Sequence, residues 1–210
     1  MYKMPYFTEK DFDAIVAFMQ ENPFVTLIAT QHNQAVATQI PVLIHVRDKE
    51  ISIRGHFMRH TDHHQAFEEN PNALILFTGP QCYISASWYN ERGHGSTWNY
   101  MSVQATGVME FYTDEQTIIL LKELTHHFED QRAQPELLEN MTREYVLAGV
   151  KAIAGFEIKL QNLHATFKLS QNRNDESYQK IVTELELIGA PQELSIAREM
   201  KKRRPHLFLR

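Results

Sequence analysis

Cysteine is nearly missing from this chain: Cys82 stands alone among 210 residues. A single thiol excludes an intrachain disulfide, so the core must hold the fold, and a reducing compartment does it no harm. The simplest reading of Cys82 is a small core residue in a strand. No apolar run is long enough to cross a bilayer, and the start lacks a basic-then-apolar leader. A cytoplasmic protein with no membrane role is therefore expected. Positive charge is also short. Twenty-one Lys and Arg stand against 26 Asp and Glu, a formal net charge of −5. Proteins that live on a phosphate backbone usually carry a basic footprint, and this chain, taken whole, does not. The exception is "REMKKRRPHLFLR", where Lys201, Lys202, Arg203 and Arg204 are consecutive. A solvated helix end, where cations suit the helix dipole, is the simpler reading, and a nucleic-acid contact is the sharper one. GxGxxG, the P-loop, HExxH and the GxSxG elbow are all missing, as are internal repeats. Cys82 has no basic neighbour in sequence to activate it, so nucleophilic catalysis has no support.

What is present reads as short strands with helices around them. "TEKDFDAIVAFMQENP" predicts a first helix capped by Thr8, with Phe12, Ile15, Val16 and Met19 as its apolar stripe. "FVTLIAT" and "AVATQIPVLIHV" read as two strands joined by a hairpin at "QHNQ". "RDKE" then separates "ISIRGHF". "MRHTDHHQAFEENP" predicts a short helix capped by Thr61. "NALILFTG" reads as a buried strand ending in a turn at Gly79-Pro80, followed by "QCYISAS". "YNERGHGS" is a loop, and "TWNYMSVQATGVMEFY" one long strand, bent or bulged at Gly107. "DEQTIILLKELTHHFED" and "PELLENMTREYVLAG" predict helices, "AIAGFEIKLQNLHATFKLS" a strand, and the chain beyond Asn174 is helical with a break at "GAP". Six or seven strands in hairpin-like succession, with connections too short for parallel crossovers, predict an antiparallel barrel rather than a Rossmann sheet. The expected organisation is one domain over residues 1–173, with a helical insertion at about 114–150, and a helical extension over 174–210.

Three stretches carry polar chemistry. In "ISIRGHFMRHTDHHQ", Arg59 and His60 precede a helix whose first turn has free N–H groups, a natural place for an anion. His56, His63 and His64 can add donors, while the carboxylate of Asp62 works against this. Capping with surface histidines is the plainer alternative. His60 and His64 lie one turn apart only if both are helical, so no metal is expected. In "GPQCYISASWYNERGHGSTWNYMSVQATG", Trp98 can stack on a planar heterocycle and Asn99 can read its edge, since an amide both donates and accepts. Core filling and a subunit seam are the alternatives. In "FKLSQNR", Lys168, Ser170, Gln171, Asn172 and Arg173 make either an exposed loop or a recognition loop.

At these stretches the sequence resembles the PaiB-type "FMN-binding negative transcriptional regulator" family. The likeness runs in order through "MYKMPYFTEKD", "ENPFVTLIAT", "ATQIPVLI", "GHFMRH", "LFTGPQCYISASWY", "TWNYMSVQATG", "ELTHHFE" with "AIAGFEIKL", and "KLSQNR". The pattern departs at Thr61-Asp62, Ala86, Gly95-Ser96 and Gln104. The resemblance implies a mainly β fold with peripheral helices, an antiparallel split β-barrel like that of flavin reductases and pyridoxamine-phosphate oxidases. It implies FMN bound at a homodimer interface. The phosphate then sits near Arg59, His60 and the helix beginning at Asp62, with His56 adding a donor. The ring lies along the strand holding Thr38 and Gln39. Thr97, Trp98 and Asn99 supply further contacts, and Lys168 and Gln171 reach the same site, in one arrangement from the other subunit. The function implied is that of a flavin-binding regulator. The alternatives are a flavin-dependent oxidoreductase, which leaves open whether the protein is an enzyme, and a haem-binding or haem-degrading protein of the same fold.

Overall fold

The computed structural model describes residues 4–209. Eight strands form one antiparallel sheet: β1 (Thr8–Glu9), β2 (Phe24–Gln31), β3 (Gln34–Pro41), β4 (Leu43–Arg47), β5 (Glu50–Met58), β6 (Asn72–Ile84), β7 (Thr97–Phe111) and β8 (Ile153–Lys168). Their order is β3-β2-β6-β7-β8-β5-β4, with β1 paired to β8. Six α-helices accompany them: α1 (Phe12–Glu21), α2 (Asp62–Glu69), α3 (Asp114–Glu129), α4 (Arg143–Ala152), α5 (Asp175–Ile188) and α6 (Pro191–Arg203). The chain divides into two compact units, one of residues 1–18, 78–103 and 164–210, the other of 19–77 and 104–163.

The second unit is built from hairpins. His32 and Asn33 both have positive φ, 49° and 62°, and join β2 to β3 in the two-residue turn whose twist matches its strands. Asp48 and Lys49 do the same between β4 and β5. The run "AVATQIPVLIHV" is two strands, not one: after Pro41 the chain turns at Val42, whose N–H donates to the carbonyl of Pro23. β5 pairs with β8 from Ser52↔Lys159 to Met58↔Ile153. Gly107 lies inside continuous β7, not at a bulge. A Cβ there would come within 2.3 Å of the Lys159 carbonyl oxygen, so the glycine permits close backbone approach. α3 starts with a capping box between Thr113 and Gln116. The second expected helix of this region begins later, at Arg143, because Thr142 caps it and residues 138–140 form a separate 3-10 turn.

In the first unit, β1 pairs with β8 at Thr8↔Thr166 and Glu9↔Ala165. Thr8 is therefore a strand residue. Asp11 caps α1 instead, accepting from the amides of Asp13 and Ala14 at 3.0 and 3.3 Å. The expected turn at Gly79-Pro80 is not formed, since β6 runs straight through it. Gly79 is explained by packing: a Cβ there would lie 2.4 Å from the Phe18 ring. α5 ends on Gly189 at φ 70°, and Pro191 opens α6, so "GAP" is a helix stop followed by a helix start. The two helices pack through fully buried Tyr178, whose hydroxyl donates to the Met200 carbonyl at 2.9 Å.

Candidate functional site

The ten residues for which the resemblance implies flavin contacts fall on both units, five on each. In the second unit, β3 is the end strand of the sheet, and α2 packs against β2 and β3. Strand alternation splits Thr38 from Gln39. Thr38 pairs with buried Leu27, whereas Gln39 pairs with Thr26, which in turn faces Leu76. Gln39 thus lies on an outer face with Ile28, Leu74 and Leu76, all only partly covered, and Phe24, which is 62% exposed.

Arg59 and His60 connect β5 to α2, with His60 in the left-handed region at φ 63°. The Arg59 guanidinium is already engaged: Nε donates to the Ile153 carbonyl at 2.5 Å and Nη2 reaches Asp114 Oδ1 at 3.3 Å. Nη1 has no partner among the described residues. Thr61 occupies the cap position of α2, but its hydroxyl donates backward to the Met58 carbonyl. Asp62 takes the cap's place by accepting from the His63 amide at 2.8 Å. His63 and His64 lie edge-on to Phe57, and Nε2 of His63 is buried without a hydrogen-bond partner. His56 is not brought to this corner. It alternates with Phe57 along β5 and shares the face of Ser52 and Arg54. Burial pushes its imidazole pKa down, and its Nδ1 has no partner.

In the first unit, Thr97 and Lys168 are joined by a short hydrogen bond from Nζ to Oγ1. Burial, and then the nearby charge of Arg173, lowers the Lys168 pKa. Trp98 is 53% exposed and meets Tyr83, 50% exposed, edge to face at 6.1 Å. This pair is a surface on which a flat ring can rest. Asn99 is different. It is fully buried, accepts from the Ser170 hydroxyl at 3.1 Å and donates to the Met200 sulfur at 3.6 Å. Gln171 is likewise turned inward on its own loop: its amide accepts from Leu169 N–H and donates to the Phe167 carbonyl.

The four consecutive cations at the end of α6 are each matched by an acid. Lys201 pairs with Glu186, Lys202 with Glu199, Arg203 with Glu9 and Arg204 with Asp175. Burial pushes the Cys82 thiol up to about 12, as suits a core residue. No helix among the described residues is long and apolar enough to cross a membrane. Among them, too, no group of three or more His, Cys, Asp or Glu side chains can hold a metal ion.

One polar cluster escaped the sequence reading. Arg54 donates through Nε to Glu157 at 2.9 Å, Ser52 donates to the same carboxylate at 2.8 Å, and Arg54 Nη1 lies 3.4 Å from Glu123. These groups come from β5, β8 and α3, so no local spacing reveals them.

A family model described as "Putative FMN-binding domain" matches residues 1–162. The chain is 32% identical over 186 residues to the "Protease synthase and sporulation protein PAI 2" of Bacillus subtilis, covering 89% of each chain. It is 28% identical over 154 residues to an uncharacterised protein of Emericella nidulans, covering 66% of this chain and 61% of that one. Two solved structures are similar in fold. The FAD and haem binding protein from Mycobacterium smegmatis has a TM-score of 0.58 at 17% identity, covering 77% of this chain and 73% of its own. The flavocytochrome Anf3 from Azotobacter vinelandii has a TM-score of 0.58 at 10% identity, covering 80% and 72%. The fold is the expected one: an unclosed antiparallel sheet with helices, of the split-barrel class.

Proposed function

This chain belongs to the FMN-binding domain family and has FMN as its cofactor, and from that premise we propose that two copies bind the flavin at their shared seam and act as a regulatory protein. The observation that carries the homodimer is the outer face of β3, β2 and β6. Phe24, Ile28, Leu74 and Leu76 make it apolar and leave it only partly covered within one chain. A soluble protein seldom leaves such a face to water. A second copy is the occupant because oligomers of one chain pair the same patch twice.

The residues present fit the cofactor. Arg59 Nη1, His60 and the first turn of α2 offer donors to the phosphate, and Gln39 offers an amide to the ring edge. Asp62 partly occupies that turn and weakens the phosphate grip. Thr97, Trp98 and Lys168 are the contacts proposed on the first unit, with Trp98 stacking on the ring. Asn99 and Gln171 support the strand and loop that present them. Bound FMN supplies one- and two-electron transfer, and the protein positions it.

One fact favours regulation over metabolism. The Bacillus relative is named for the processes of protease synthesis and sporulation rather than for a substrate. The paired cations of α6 argue that regulation proceeds through a small molecule or a protein partner rather than through that helix gripping DNA. A cytoplasmic location follows from this role.

The test is the visible spectrum of the purified protein together with its mass by light scattering. The expected result is a dimer carrying a flavin band near ~450 nm. Replacing Ile28 with Lys should yield a folded monomer that loses the band. A wild-type monomer that stays fully loaded would sink the shared seam.

A further inference from the structure

A cavity of about 540 Å³ lies between α3 and the β4 strand, and of the polar cluster described above only Glu123 lines it. Its lining is apolar at Pro23, Val42, Leu43 and Ile44 and polar at Gln20, His45, Glu123, His126, His127 and Asp130. None of the flavin candidates Thr38, Gln39, His56, Arg59 and His60 lines it.

The charges around this cavity do not cancel. Arg54 is spent on its nearer acid, Glu157 at 2.9 Å, and only leans on Glu123 at 3.4 Å. Further along α3, His126 bonds both Asp130 at 2.9 Å and Glu139 at 3.1 Å, and Lys122 bonds Glu139 at 2.7 Å. Those two acids hold the His126 imidazole above its ordinary pKa, so that group of four is neutral when His126 is protonated. One carboxylate, Glu123, is left without a dedicated counter-ion.

His45 completes the arrangement. Its Nε2 is buried, has no hydrogen-bond partner, and stops 3.6 Å from Glu123 Oε2. That gap is too long for a hydrogen bond. Burial lowers the imidazole pKa, with Arg54 next in effect, and Glu123 only partly opposes it. With its proton on Nδ1, the neutral imidazole presents a lone pair at Nε2 beside the Glu123 carboxylate. In that tautomer two acceptors stand side by side next to the apolar lining, one of them charged.

We infer that this cavity is a second ligand site and that its ligand is a primary ammonium with an aliphatic body. An ammonium brings several donors and one positive charge, which matches Glu123 and His45 together. The aliphatic part covers Pro23, Val42 and Ile44. A bare metal ion is a poorer match, because no sufficient set of ligating side chains exists among the described residues.

The probe is n-hexylammonium chloride, titrated by calorimetry into the full-length, FMN-loaded protein at constant ionic strength. Hexanol and sodium hexanoate test the head group. Saturable binding of the ammonium is expected, with hexanol weaker by about tenfold or more and hexanoate not bound. Glu123→Gln should weaken the ammonium by a similar factor while its flavin content stays that of the wild type, which separates this site from the flavin seam. In the wild type, the ammonium should also shift the ring resonances of His45, a readout that needs no variant. No saturable heat with no His45 shift, full affinity in Glu123→Gln, or hexanoate binding as well as hexylammonium would each overturn the proposal.

Discussion

Asn99 and His45 are both polar residues on strands, and the structure uses them in opposite ways. Asn99 is fully buried, and both ends of its amide are satisfied, by Ser170 and by the Met200 sulfur. His45 lines a cavity with its Nε2 buried and unpaired beside a carboxylate. The first is an interior strut, because a buried polar group that is satisfied stabilises one arrangement of the chain. The second retains unmet hydrogen-bonding capacity, and that is where a ligand gains most. Trp98 follows the same logic by exposure: half of it faces water, so it can meet a ring from outside.

Substitutions can sharpen this contrast. The largest effect is expected from Tyr178→Ala, which empties the contact between α5 and α6 and leaves the Met200 carbonyl with only the Arg204 amide as donor. Chemical denaturation should show a loss of about 3–5 kcal/mol. Asn99→Ala comes next, at about 1–3 kcal/mol, because Ser170 is left buried without its acceptor. Its flavin affinity, measured under conditions where the variant is folded, should stay within about threefold of wild type. A specific collapse of FMN binding would move Asn99 from strut to ligand contact.

Arg59→Ala tests a side chain with two duties. Losing the bonds to Ile153 and Asp114 should lower stability by about 1–2 kcal/mol. Flavin affinity should fall by about tenfold, since one guanidinium nitrogen remains for the phosphate. Unchanged fluorescence titration with FMN would remove Arg59 from the site.

The smallest effects belong to exposed ion pairs. His126 has a raised pKa through its bonds to Glu139 and Asp130. Its contribution to stability is present below the unfolded value of about 6.5 and is lost as pH rises through the higher folded value. Glu139 is lowered to about 2, mainly by its bond to Lys122 and then by His126. Its contribution is present above its unfolded pKa of about 4.5 and is lost as pH falls toward 2. Urea midpoints of His126→Gln should therefore converge on wild type above neutrality and fall below it in mild acid. Identical midpoints at all pH values would remove the coupling.

Much of the fold was legible. The hairpin at "QHNQ", the separation of strands at "RDKE", the long strand after Thr97, and the helix pair around "GAP" all follow from local turn chemistry and periodicity. The misreadings were local signals outvoted by packing. Gly79-Pro80 looks like a turn, but the glycine is there to admit the Phe18 ring within a strand. Thr8 looks like a cap, but pairing with Thr166 makes it a strand residue and Asp11 takes the capping role. Of the candidate site, the corner of Arg59, His60 and α2 was legible because it is contiguous in sequence. The cluster of Arg54, Glu123 and Glu157 was not, since its members lie on three separate elements.

The order of residues by itself indicated most of the strands and helices and which family the chain joins, because turns, caps and apolar periods act over a few neighbouring positions. Tertiary structure alone decided which polar side chains are satisfied. Asn99 finds its partners 71 and 101 residues away, and the gap between His45 and Glu123 opens between a strand and a distant helix. Hydrogen bonding and desolvation depend on distance in space, and no local pattern encodes that.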